Sequence, residues 1–395
     1  MASDEDQVGI AILGAGIFAS EAHLPAILAN SHLILKAVYS RSKKSTEALV
    51  ALAKGAEGSI DIYSDDGGDG KKLEDLLTRK DIKGVVIALP IPNQPAYIKK
   101  ALQSGKHVLS EKPIAPSLSE TRDLMTWYDS ARWRFAGARS STWSVAENFR
   151  FIPQFVRGAE EVRKLGRVLG FRVQVTQVVD LEGGSNKYAE TEWRRKADFE
   201  GAWVLDGGVH FVAGLRALLL GDADEEQARG RGGDQIASVC AVTGRLRRDL
   251  GDVDTVDALL KTRNGVSGTF TVSYGMDALD DGWMVICEKG VVRIKRNKVL
   301  LGEEVVFDAG NGNEALEAPG VKEELEAWAE GLRKGDVSMD PRLSTEEAIA
   351  DLEVLESCLK SGKNGGTHVQ MRLQDTSKAK DSMPRGESPW GAERR

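Results

Sequence analysis

The chain has 395 residues, of which 41% are hydrophobic and 29% charged, and a formal net charge of −7. That length accommodates two or three domains, and the acidic balance, with a pI near 5.5 and no basic stripe, excludes nucleic acid as the main partner. The three cysteines, Cys240, Cys287 and Cys358, lack metal-ligand spacing, and their odd number suits a reducing compartment.

The N-terminus is acidic and carries no apolar h-region, and no apolar run is long enough to span a bilayer. The expectation is a cytoplasmic protein with no metal and no membrane partner.

Val8–Leu13 is a short apolar run that leads into Gly14-Ala15-Gly16-Ile17-Phe18-Ala19. A second apolar run, 33–39, ends on Ser40-Arg41-Ser42. This is strand, glycine turn, helix and strand at the spacing of a dinucleotide-binding βαβ unit. Gly14 makes the tight turn, Gly16 lets the backbone approach a pyrophosphate, and Ala19 lets the helix pack on the strand. The helix beginning at Ile17 and Phe18 offers free N–H groups to the phosphates. NAD sites usually place Asp or Glu at the end of the second strand. Here Ser40 holds that place, followed by Arg41 with Lys43 and Lys44 close by. A hydroxyl and a guanidinium bind a 2′-phosphate that a carboxylate would repel, so NADP(H) is expected over NAD(H).

Helices are expected at 45–53 and 73–77, and an apolar strand at 84–89 stops abruptly at Pro90-Ile91-Pro92-Asn93. A helix at 96–104 has Gly105 as its C′ residue. A short strand at 107–110 then reaches Glu111-Lys112-Pro113, and a helix follows at 119–128. Residues 1–140 thus read as one α/β domain.

Beyond it, period-two alternation marks strands at 168–179, 236–246, Thr255–Thr262 and 266–274, and Gly290 separates 283–287 from 291–295 like a hairpin. Strands without intervening helices point to a largely antiparallel sheet. Helices are expected at 155–165, about 209–220, Val321–Lys334 and 345–360. The reading is an α+β domain over 141–373, with an exposed charged insertion at 222–233 and a disordered tail at 374–395.

Two sets of residues have the character of acid–base groups. Hydride transfer to or from carbon needs a proton relay at the attached heteroatom. Lys112 follows a parallel strand at its carboxyl end, where such sheets bind ligands. Taken alone it is equally a surface lysine beside a turn proline. Asp206 and His210 are four residues apart, one helical face, although Gly207 and Gly208 place Asp206 just before a helix rather than in it. A carboxylate there would orient the imidazole or bind a hydroxyl. An isolated histidine opening an apolar helix is more often a packed core residue.

Several motifs in order carry a resemblance: Gly14-Ala-Gly16-Ile-Phe-Ala19, Val85-Val-Ile-Ala-Leu89-Pro90, Gly105-Lys-His-Val-Leu-Ser-Glu111-Lys112-Pro113, Asn148-Phe-Arg150-Phe-Ile-Pro153, Trp193-Arg194 and Gly201-Ala-Trp-Val-Leu-Asp206-Gly-Gly-Val-His210. Over roughly 7–370 the chain resembles the glucose-fructose oxidoreductase / inositol dehydrogenase / rhizopine-catabolism family of NAD(P)-dependent oxidoreductases. The resemblance implies a Rossmann domain followed by a domain whose open sheet often forms a homodimer interface. The cofactor would lie across the strand ends, against Leu89, Pro90, Asn93, Glu111 and Lys112. Lys112 would be the principal acid/base, assisted by Asp206 and His210. Asn148, Arg150, Trp193 and Arg194 would line the substrate pocket or serve as an ion pair and core anchors. The chain departs from the family at Ala213, Gln94 and Trp203, and the resemblance implies that each would reshape the pocket.

The function expected is hydride transfer between NADP(H) and a carbonyl/alcohol carbon of a small polar molecule such as a sugar, polyol, dihydrodiol or aldehyde. The alternatives are a C=N or C=C reductase of a flat substrate walled by Trp143, Trp193 and Trp203, and a non-enzymatic NADP-binding regulator.

Overall fold

The structure is a computed structural model describing residues 7–56, 59–131, 141–179, 181, 187–188, 191–195, 199–220, 235–278, 280–310, 318–334 and 339–374. The expected insertion at 222–233 and the tail from 375 onward lie outside them.

The first sheet contains β1 (Val8–Leu13), β2 (Leu33–Ser40), β3 (Asp61–Ser64), β4 (Gly84–Ile87), β5 (His107–Glu111) and β6 (Trp143–Ala146), in the spatial order β3-β2-β1-β4-β5-β6 with every pair parallel. β1 and β4 are apolar along almost their whole length because both faces are covered. The chain reverses its direction of travel across the sheet between β1 and β4, and the crevice at their carboxyl ends is where doubly wound sheets take ligands. β3 and β6 have four residues each, too short for a periodic signal. β6 carries the first sheet past the boundary expected at residue 140.

After β1, a π turn (Ala19–His23) runs into α1 (Leu24–Leu28). The remaining crossover helices are α2 (Lys43–Ala51), α3 (Leu73–Thr78), α4 (Gln94–Gln103) and α5 (Leu118–Ala131). Ser42 caps α2 by accepting a hydrogen bond from Ser45 N.

The second sheet contains β7 (Val168–Thr176), β8 (Ile236–Gly244), β9 (Thr255–Thr262), β10 (Ser267–Ser273), β11 (Gly282–Cys287), β12 (Gly290–Lys295), β13 (Lys298–Leu301), β14 (Glu304–Asp308) and β15 (Val369–Gln370). Its order is β14-β13-β12-β11-β7-β10-β9-β8-β15, and only the β7–β10 pair is parallel. α6 (Pro153–Lys164) and α8 (Ala202–Leu219) cover one face, and α7 (Glu192–Arg195) is a single turn.

α8 is continuous through Gly207 and Gly208, contrary to the expectation that these residues break it. A Cβ on Gly207 would lie 1.8 Å from the Tyr274 hydroxyl, and one on Gly208 would lie 3.1 Å from Leu355, so both glycines admit neighbours rather than end the helix. α8 is also the one described helix long and apolar enough to cross a membrane, and 67% of it is buried inside the protein.

Two late helices tie the domains together. α9 (Val321–Lys334) returns to the first sheet, where Val321, Leu325, Trp328 and Ala329 join the core of Ile10, Val86 and Leu109. Gly84 makes room for it, since a Cβ there would come 2.8 Å from the Trp328 ring. α10 (Thr345–Lys363) puts Ile349 into the first domain's core and Leu352, Val354, Leu355 and Cys358 into the second's. The second domain is therefore not simply everything after residue 140.

Candidate active site

The glycine turn fits a dinucleotide. Gly14 has φ +118°, and a Cβ on it would sit 2.1 Å from the Ala88 carbonyl oxygen. Only glycine accepts both the conformation and the approach. Gly16 is exposed, with nothing within 4 Å of where its Cβ would be, which leaves its backbone open to a phosphate. Ile17, Phe18 and Ala19 begin the helical run behind it. Half-buried Leu89 and Pro90 follow β4, with Asn93 exposed beyond them. At the end of β2, Ser40 is half-buried while Arg41 and Lys44 are exposed. Two carboxylates missed in the sequence also reach this corner. Asp66 Oδ1 accepts from Lys43 N at 2.6 Å, and Asp65 Oδ1 accepts from the Tyr39 hydroxyl at 2.5 Å.

β5 ends in Glu111, which accepts from Lys112 N at 3.2 Å and pairs with buried His23 Nε2 at 2.7 Å. The Lys112–Pro113 peptide is cis. Buried Gln94 stands where the family often has histidine, and its Nε2 donates to Pro113 O at 3.1 Å, bracing the loop after Lys112.

Lys112 crosses to the second domain. Its Nζ donates to Asp206 O at 2.6 Å and to Asp206 Oδ1 at 3.1 Å. The other carboxylate oxygen, Oδ2, accepts from Arg194 Nε at 2.7 Å. Burial disfavours the Asp206 anion, but the charges of Lys112 and Arg194 outweigh it and hold the carboxyl well below the usual range. Asp206 is thus the shared counter-ion of a lysine and an arginine, not the partner expected for His210. Trp193 lies under the Arg194 guanidinium, 4.1 Å from ring centroid to Cζ.

The partner of His210 is Glu147, which sequence reasoning missed. His210 Nδ1 lies 2.6 Å from Glu147 Oε1, leaving Nε2 for a ligand. Glu147 is fully buried; burial opposes its ionisation, and the neighbouring His210, Arg150 and Lys112 hold it below the ordinary glutamate range. The signal available was its position, directly after the apolar run of β6 as Glu111 ends β5. Phe149 stacks on the His210 ring at 4.7 Å and belongs to an aromatic group with Phe155, Phe211 and Trp283.

Asn148 and Arg150, expected at the substrate, are committed elsewhere. Asn148 Nδ2 donates to Pro319 O at 2.7 Å. Arg150 is buried against Asp351, which it shares with Arg216. These groups fasten the 148–150 turn to α9 and α10. Trp143 is a core residue that donates to Ser110 Oγ, Trp203 packs against Tyr274, and Ala213 is fully buried. Of the three tryptophans expected to wall a flat pocket, two are therefore structural. Among the described residues no cluster of metal-binding side chains occurs.

The chain matches known proteins along both domains. Residues 8–136 match the oxidoreductase family with an NAD-binding Rossmann fold, and 156–293 match the GFO/IDH/MocA C-terminal domain. Dehydrogenase FPY6 of Fusarium mangiferae is 39% identical over 374 residues, covering 93% of this chain and 100% of that protein. A dTDP-3,4-didehydro-2,6-dideoxy-alpha-D-glucose 3-reductase of Streptomyces violaceoruber is 29% identical over 73% of this chain and 72% of its own. The crystal structure of an oxidoreductase from Thermotoga maritima superposes with a TM-score of 0.74 at 26% identity, covering 94% of this chain and 99% of that one. The chain belongs to the Gfo/Idh/MocA family of NAD(P)-dependent oxidoreductases.

Proposed function

We propose that the protein uses NADP(H) to interconvert a carbonyl and an alcohol on a small polar substrate, a sugar or polyol, with Lys112 and His210 as the acid–base groups. The observation that carries this reading is the Lys112 ammonium, anchored on Asp206 at the carboxyl end of β5, beside the Glu147-bound imidazole. The dinucleotide, when bound, supplies or accepts the hydride.

An ammonium has three N–H groups. Lys112 donates to two oxygens of Asp206, which leaves one N–H for a substrate oxygen. During reduction that proton neutralises the developing alkoxide, with His210 Nε2 as the second donor; during oxidation the same groups take the proton back. Asp206 and Arg194 keep the lysine in place, and Glu147 and Phe149 fix the plane of the imidazole. Lys112, His210 and Arg194 all present polar donors here, which favours a hydroxylated substrate over a flat one. The reductase from Streptomyces violaceoruber, named for a deoxysugar substrate, supports the same choice.

The preference for NADP(H) rests on Arg41, exposed just after β2, and Lys44, exposed in the first turn of α2. Asp66, on the Lys43 amide, opposes it and makes Arg41 the deciding group.

Association as a homodimer through the open face of the second sheet is part of the same reading. Val242, Leu259 and Ile286 are exposed there on β8, β9 and β11.

Three outcomes are expected. Lys112→Ala and His210→Ala keep NADPH affinity in a fluorescence titration but lower turnover by about 100-fold or more; turnover at the wild-type rate in Lys112→Ala contradicts the assignment. Arg41→Ala weakens NADPH binding by about 10-fold or more, the worth of a charged hydrogen bond, and leaves NADH binding nearly unchanged; equal loss for both argues against the 2′-phosphate contact. Sedimentation equilibrium gives a dimer that Leu259→Glu dissociates, whereas a monomeric wild-type chain rules this interface out.

A further inference from the structure

Glu324 is used by nothing described so far. It lies one turn into α9, is 1% exposed, and neither carboxyl oxygen has a hydrogen-bond partner. The start of α9 is seated on the turn that follows Glu147. Asn148 holds Pro319 O, a Cβ on Gly320 would come 2.3 Å from Asn148 O, and Gly320 O accepts from Glu324 N at 2.9 Å. The Glu324 side chain lies near enough to Glu111, the last residue of β5, and Glu147, just after β6, for both to act on it as like charges.

The elements packed against α9 limit what else can act on Glu324. β1, β6 and α1 contain no ionisable residue. The π turn supplies His23, paired with Glu111, and Glu21, paired with Lys187. The 148–150 turn supplies Arg150, whose guanidinium is taken by Asp351. Among the described residues of these elements no unpaired cation is left for Glu324, and the pull of Arg150 does not outweigh its burial. A buried carboxylate without a paired cation takes up a proton rather than carry its charge, and burial together with Glu111 and Glu147 pushes its pKa well up.

A neutral carboxylic acid has an O–H to donate. The two glutamate–histidine pairs each keep one buried atom without a hydrogen bond, Glu147 Oε2 and His23 Nδ1. Polar atoms of this kind in an enclosed site are commonly joined by a buried water.

We propose that Glu324 is a positioning residue of the active site, a buried protonated acid whose O–H reaches the Glu147 carboxylate through a bridging water and holds that carboxylate on His210. The second oxygen of Glu147 is thereby satisfied, which leaves the first for the imidazole. Glu324 also provides a neutral separator between two glutamate–histidine pairs, one on the dinucleotide side and one on the substrate side.

Infrared difference spectroscopy of the whole protein against Glu324→Gln tests the proton directly and needs no substrate. A carboxylic-acid C=O band present at neutral pH in the wild type and absent in the variant is expected; its absence from the wild type overturns the proposal. The kinetic arm rests on the proposed oxidoreductase site. Glu324→Leu, similar in size but without a donor, should lower kcat about 10- to 100-fold through misplacement of His210, shift the pH profile of kcat/KM and leave NADPH affinity unaltered. Glu324→Gln, which retains an N–H donor, should recover most of that loss. Equal kcat and pH profiles in the Gln and Leu variants would overturn the positioning role. A positive infrared result with no effect of Lys112→Ala on turnover would instead count against the proposed acid–base set and leave the protonated Glu324 standing.

Discussion

The Asp206 carboxylate, buried between Lys112 and Arg194, is the interaction on which the site depends. It has one partner from the end of the first sheet and one from the second domain. Removing ions like these from water is costly, and removing one member of a buried pair typically costs about 3–5 kcal/mol because the other is left uncompensated. The proton-donor role proposed for Lys112 requires that it face its substrate yet be held still. Asp206 holds it with two hydrogen bonds from the side opposite the third N–H. The glycines next to Asp206 serve the same end, since they let α8 run continuously past Tyr274 and Leu355 and keep this carboxylate within its second turn.

The rest of the fold keeps these two halves in register. α9 and α10 return to the first domain after the second sheet is complete, so the two domains share core residues. Asn148 and Arg150 belong to this fastening. Arg150, Arg216 and Asp351 form a buried set joining the turn after β6 to α8 and α10. The catalytic candidates sit on rigid elements braced from behind, as positioned acid–base chemistry requires.

Most elements were legible in the sequence, because Rossmann strands are continuous apolar runs and their ends are punctuated by glycine, proline and charge. Val8–Leu13, Thr255–Thr262 and Val321–Lys334 end where their patterns end. What was not legible has physical reasons. β3, β6, β13 and β15 have at most four residues, too few to show a period. Gly207 and Gly208 read as helix breakers because the side chains that fill their space come from 67 and 147 residues further on, at Tyr274 and Leu355. Helical spacing pairs His210 with Asp206, whereas its carboxylate partner is Glu147, 63 residues earlier, just after β6. Arg150 resembles a ligand-binding arginine in composition, and only its partner Asp351, 201 residues away, shows that it is structural.

Lys112 and Asp206 form one coupled unit across the two domains. The most direct measurement is a double-mutant cycle of Lys112→Met and Asp206→Asn, read as unfolding free energy in urea. A coupling energy of about 1–3 kcal/mol is expected, with the double variant less destabilised than the sum of the two single ones. Additive effects, with no coupling, would contradict it.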